Sequence, residues 1–148
     1  MSKFRDLFGG DELQKIFNAG LSKGDVFLHD FPGIDHLKMF IVIGISQDIV
    51  YTCSVYINSS IHPFIAKDKK LLDLQIPILK SDNPFLHHDS FASCNSPIKS
   101  SSENIQSKIQ DKSCKVIGKI CAKDLAQITL ALKTSGVLTV EEIELYFS

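Results

Sequence analysis

The run Gly24-Asp25-Val26-Phe27-Leu28-His29-Asp30-Phe31 decides how the chain is read. A Gly-Asp turn opens a short apolar strand, which ends at Asp30-Phe31-Pro32-Gly33. A polar connection leads to a second strand, Met39-Phe40-Ile41-Val42-Ile43-Gly44. Outward from this pair, strand candidates fall at 25–31, 39–45, 49–57, 61–66 and 74–79. Each is short and rich in Val, Ile, Phe and Tyr, with Gly, Pro, Asn, Asp or Ser between them. Many short strands with turn signals predict a small, strongly bent antiparallel β-barrel, closed or half-open, an arrangement that removes exposed edges. Pro77 puts the 74–79 strand at an edge or a bulge, because proline cannot donate to a ladder.

Helices are expected around these strands. Leu13, Ile16 and Phe17 share one face of a short helix that Gly20 caps. Beyond the Ser81-Asp82-Asn83-Pro84 turn, 86–91 reads as a short strand. Residues 92–114 read as a serine-rich, mobile insertion, with a weak helix at 102–109 carried by Ile105 and Ile109. Order returns with a strand at 115–121. A helix at 123–133 follows, with Leu125, Ile128 and Leu132 as its core stripe. Thr139-Val140-Glu141-Glu142 is a capping box that starts a last helix. The expected organisation is a single domain over 1–148. It has a barrel core at 22–133, the insertion at 92–114 and a C-terminal helix at 137–148.

Composition narrows the function classes. The 148 residues carry a formal net charge of −1, so no global basic field attracts nucleic acid. Arg5 is the sole arginine, and lysine offers a point charge where arginine offers a planar fork. Cys53, Cys94, Cys114 and Cys121 form no Cys-x-x-Cys pair, which argues against a zinc ribbon or a thioredoxin-type site. No metal or cofactor is expected. With no signal segment and no apolar run near the ~20 residues of a membrane helix, the expectation is a cytoplasmic protein with reduced thiols and no membrane partner.

The order strand, strand, strand, insertion, strand, helix resembles the PemK/MazF family of toxins from type II toxin–antitoxin systems. The resemblance covers roughly 22–133, in patches. Gly24-Asp25-Val26-Phe27-Leu28-His29-Asp30-Phe31 is similar to the family's Gly-Asp-apolar opening. Lys38-Met39-Phe40-Ile41-Val42-Ile43-Gly44 stands where the family has Arg-Pro-Ala, three apolar residues and Ser. Thr52-Cys53-Ser54 stands at its Pro-x-Thr or Pro-x-Ser element. His88-Asp89-Ser90-Phe91 falls where the family's barrel strand leads toward its dimer face. Gly118-Lys119-Ile120-Cys121-Ala122-Lys123-Asp124-Leu125 is similar to its final strand-to-helix turn. The resemblance implies a mainly β fold with α elements, an SH3-like antiparallel barrel with peripheral helices. It implies an endoribonuclease that cuts single-stranded RNA without metal, by attack of the ribose 2′-hydroxyl on the adjacent phosphorus. Lys38 matches the family's phosphate-serving Arg and Ser54 its hydroxyl. It also implies an antitoxin protein as partner and a homodimer. The candidate dimer face is Phe85-Leu86-His87-His88-Asp89-Ser90-Phe91 with strand 115–121. The alternative is a non-catalytic SH3-like barrel that binds protein or nucleic acid.

The residues add their own chemistry. His36 lies two positions from Lys38, and a general base beside a cationic clamp suits 2′-hydroxyl attack. The candidate catalytic set is therefore Lys38, Ser54 and His36. Lys67, Lys69 and Lys70 form a local basic cluster that could contact RNA phosphate. His29 is expected on the solvated side of its strand. His87-His88-Asp89-Ser90 imitates a hydrolase triad, but strand neighbours face opposite ways and no Gly-x-Ser-x-Gly elbow is present.

Overall fold

The computed structural model describes residues 21–29 and 38–148. The helix expected over 11–17, the turn at 30–33 and His36 lie outside them. Six strands form one antiparallel sheet: β1 (Asp25–His29), β2 (Lys38–Ile45), β3 (Tyr51–Asn58), β4 (Gln75–Ile78), β5 (Ser90–Ser101) and β6 (Cys114–Lys119). Five helices accompany them among the described residues: α1 (Pro63–Ala66), α2 (Lys69–Leu72), α3 (Ser102–Gln110), α4 (Ala122–Thr134) and α5 (Val140–Phe147). The strand order is β4-β5-β3-β2-β1-β6.

The sheet has a core on each side. Alternation sends Val26, Ile41, Ile43, Cys53, Val55, Ala92 and Cys94 to one face, where Ile128 and Leu132 of α4 and Tyr146 of α5 cover them. Phe27, Phe40 and Val42 face the other way, under Ile105 of α3 and beside Leu21. The Phe27 and Phe40 rings stack at 5.3 Å. Burial on both faces explains why β2 reads as a near-continuous apolar run. Gly44 admits α5 against β2, since a Cβ there would lie 2.7 Å from the Tyr146 Cβ.

Register shifts between Val26 and Phe27, Val42 and Gly44, and Ser54 and Tyr56 fall on three successive strands. Bulges bend a strand and raise its twist. The sheet nevertheless stays open. Among the described residues β4 and β6 are its two ends, so the sheet does not close into a barrel, which corrects the closed form of the expected closed or half-open barrel. Helices cover both apolar faces, so burial does not require closure. Pro77 also removes a donor from the four-residue β4 edge.

Two further expectations are corrected. Residues 61–66 form no strand. His62 caps α1 by accepting from the Phe64 N–H, and Pro63 takes a first-turn position, where its missing N–H is harmless. The 92–114 segment is not a loose insertion. Its first part, through Ser101, belongs to β5, the longest strand among the described residues, paired with β3 on one side and β4 on the other, and it leads directly into α3. Serines alternate there with the buried Ala92 and Cys94, a pattern that suits a pleated central strand. The strand expected at 86–91 begins at Ser90. The 102–109 helix, the 123–133 helix and the capping box at Thr139 appear as expected. Phe85 packs against the main core and over Gly118, where a Cβ would come within 2.8 Å of its ring.

Candidate functional site

Period-2 alternation brings several chemically active side chains to the α3 side of the sheet. His29 on β1 pairs with Lys38 on β2, and Phe40 and Val42 pair with Tyr56 and Ser54 on β3. The Lys38 Nζ donates to the Asn58 Oδ1 at 3.3 Å and stands 5.7 Å from the Tyr56 ring centroid. That distance is within cation–π range. Among the described residues no carboxylate lies within ion-pair distance of Lys38.

Two cavities open near these residues, and Lys38 lines the larger of them. The larger is an open groove of about 620 Å³ where β2 begins, β3 ends and β5 begins; Lys38, Asn58, His62, Gln75, His88 and Ser90 help line it. The smaller holds about 50 Å³ beneath α3 and is lined by His29, Ser54, Tyr56 and Lys108, among others. Ser54 is 2% exposed and belongs to the smaller one. The register sets Lys38 across from Asn58, four residues along β3 from Ser54. At ~3.3 Å per residue, that separates the two strand positions by ~13 Å. The structure thus places Lys38 and Ser54 on one face but in different cavities. His36 lies outside the described residues.

His29 is 4% exposed, which corrects the solvated placement expected for it. Its strand is flanked by β2 and β6, and its ring meets the Phe40 ring edge-on at 6.5 Å. Phe27 and His29, two apart in sequence, share a face, and that spacing was the available signal. Asp111 is also nearby. Its carboxyl is held below the ordinary range chiefly by hydrogen bonding from Ser113, with a smaller contribution from His29.

The two groove histidines take complementary roles. His62 Nδ1 accepts from the Phe64 N–H, so in the neutral ring Nε2 carries the proton and donates. His88 Nδ1 lies 3.2 Å from the Asp89 carbonyl oxygen and 3.3 Å from the Ser90 Oγ. In the tautomer that donates from Nδ1 to that carbonyl, the His88 Nε2 is an acceptor. Asp89 does not complete a triad, because its Oδ1 accepts from the Lys80 N–H. Sequence reasoning missed Tyr56, Asn58 and His62. The first two lie at i and i+2 on the face of Ser54, and a periodic reading of β3 would have found them.

Lys67, Lys69 and Lys70 are exposed on α2 and the turn before it. Lys69 pairs with Asp73 at 3.2 Å, while Lys67 and Lys70 have no such partner among the described residues. Burial pushes the Cys53 and Cys94 thiols up to about 12 and Cys114 to about 11, so none of the three supplies a thiolate near neutral pH. Among the described residues no three His, Cys, Asp or Glu side chains gather to hold a metal ion. No helix among them is long and apolar enough to cross a membrane. No protein-family model matches the chain, and a search of curated proteins finds no match.

Proposed function

We propose that this chain is a PemK/MazF-like toxin, an endoribonuclease whose groove binds single-stranded RNA, and that its bent sheet is an opened SH3-like barrel. The carrying observation is Lys38, a cation at the mouth of a groove, held by Asn58 and Tyr56 and free of carboxylates among the described residues. Such a cation stabilises the negative charge that develops on the non-bridging phosphate oxygens during 2′-hydroxyl attack. The His88 Nε2 accepts the proton of the attacking 2′-hydroxyl, the His62 Nε2–H donates to a non-bridging phosphate oxygen, and the bond from phosphorus to the 5′-oxygen breaks as that oxygen takes a proton from water. The remainder of the proposal is a cytoplasmic homodimer neutralised by a small antitoxin protein, with Lys67 and Lys70 adding phosphate contacts. Expression in a bacterial host tests the reading. Growth should arrest, and co-expression of a cognate antitoxin should restore it; normal growth without any antitoxin would contradict it.

One observation favours a second reading, a non-catalytic module that binds protein or nucleic acid. Ser54, the residue matched to the family's hydroxyl, is buried in the small cavity rather than in the groove. Under that reading the groove binds RNA or a protein segment, and growth is unaffected.

A further inference from the structure

Phe64 is 76% exposed, an unusual place for a large aromatic ring. Its ring stacks on the His62 imidazole, with centroids 5.2 Å apart and planes 12° from parallel. His62 lines the groove that holds Lys38, so the stack forms part of the groove's rim. One face of Phe64 is covered by His62, and the exposure of the ring leaves the other open. The charges beside it are positive on balance. Asp68 spends a carboxylate oxygen on the Lys70 and Leu71 N–H groups, and Asp73 is paired with Lys69. Lys67 and Lys70 remain without a carboxylate partner among the described residues. An exposed aromatic face beside unpaired lysines is the recurring arrangement for single-stranded nucleic acid, in which a base stacks while the backbone meets cations.

We propose that the His62–Phe64 stack is a nucleobase platform, with one base of a single-stranded RNA stacking on the open face of Phe64. The flanking phosphates run toward Lys67 and Lys70 on one side and into the groove toward Lys38 on the other. The inference rests on the RNA reading of the groove, and adds the residue that holds the base. It gives α1 a role: Pro63 and the His62 cap fix a short rigid turn that holds the ring outward.

The test uses a short 2′-O-methyl oligoribonucleotide, which has no attacking hydroxyl, carrying 2-aminopurine as a stacking reporter. Wild-type protein should bind it and quench the reporter. Phe64→Ala should weaken binding roughly tenfold or more and lose the quench. Phe64→Tyr, which keeps the ring, should preserve both. Equal affinity and equal quenching in wild type and Phe64→Ala would overturn the platform while leaving the groove reading standing. Absence of binding by the wild type would overturn both. If Phe64→Ala instead abolishes self-association and leaves oligonucleotide binding unchanged, the ring serves a protein contact and the proposal fails.

Discussion

Lys38→Ala is expected to slow RNA cleavage by a factor on the order of 10²–10³, the usual cost of removing one group that stabilises transition-state charge. The loss should fall on kcat, because the cation acts on charge that grows during attack. Lys38→Arg should retain activity, since a guanidinium supplies the same charge with two parallel donors. Folding should be unaffected by either change. Lys38 is half-buried, and its hydrogen bond to Asn58 is long at 3.3 Å. Ser54→Ala should cost less than Lys38→Ala, given its place in the other cavity. A Lys38→Ala variant that cleaves at the wild-type rate would remove Lys38 from the mechanism.

Asn83→Ala should produce the largest loss of stability, about 2–4 kcal/mol. Asn83 is fully buried. Its amide nitrogen donates to the Asp124 Oδ2 at 2.8 Å and to the Leu79 carbonyl at 3.0 Å, and its oxygen accepts from the Cys121 N–H at 2.9 Å. Cys121 is the N-cap of α4 and makes no capping bond with its own side chain. Asn83 therefore caps α4 from a distant turn. Asp124, 3% exposed and in the first turn of α4, depends on it for a donor. Truncation leaves a buried carboxylate short of a partner and a helix end uncapped. Urea unfolding reads the effect as a lower midpoint at unchanged slope. A shift worth under about 0.5 kcal/mol, the size of an ordinary surface change, would show that water replaces the amide.

Much of the fold was legible because local signals and tertiary packing agreed. The β1 and β2 runs, the α4 stripe of Ile128 and Leu132, and the capping box at Thr139 all carry periodic or capping signals that survive burial. β5 was illegible for the opposite reason. Its serines and Asn95 look like loop chemistry, and what makes them a strand is pairing with β3 and β4 far away in sequence. Residues 61–66 misled through Ile61 and Ile65, apolar at first sight, when His62 and Pro63 already spelled a helix start. Lys38 was singled out by the resemblance alone, as the residue standing where the PemK/MazF family has an arginine before its second strand. Its surroundings were not, because Asn58, His62 and His88 reach the groove from β3, from the α1 cap and from the turn before β5. Nothing in their spacing along the chain brings them together.

The most direct measurement of the central claim is the chemistry of the RNA ends. Purified protein is incubated with single-stranded RNA in the presence of a chelator, beside the same sequence carrying 2′-O-methyl groups. The expected result is cleavage of the unmodified RNA to a 2′,3′-cyclic phosphate and a 5′-hydroxyl, with the methylated RNA intact. No cleavage by wild-type protein, or cleavage of both substrates alike, would contradict the assignment of this groove to 2′-hydroxyl attack.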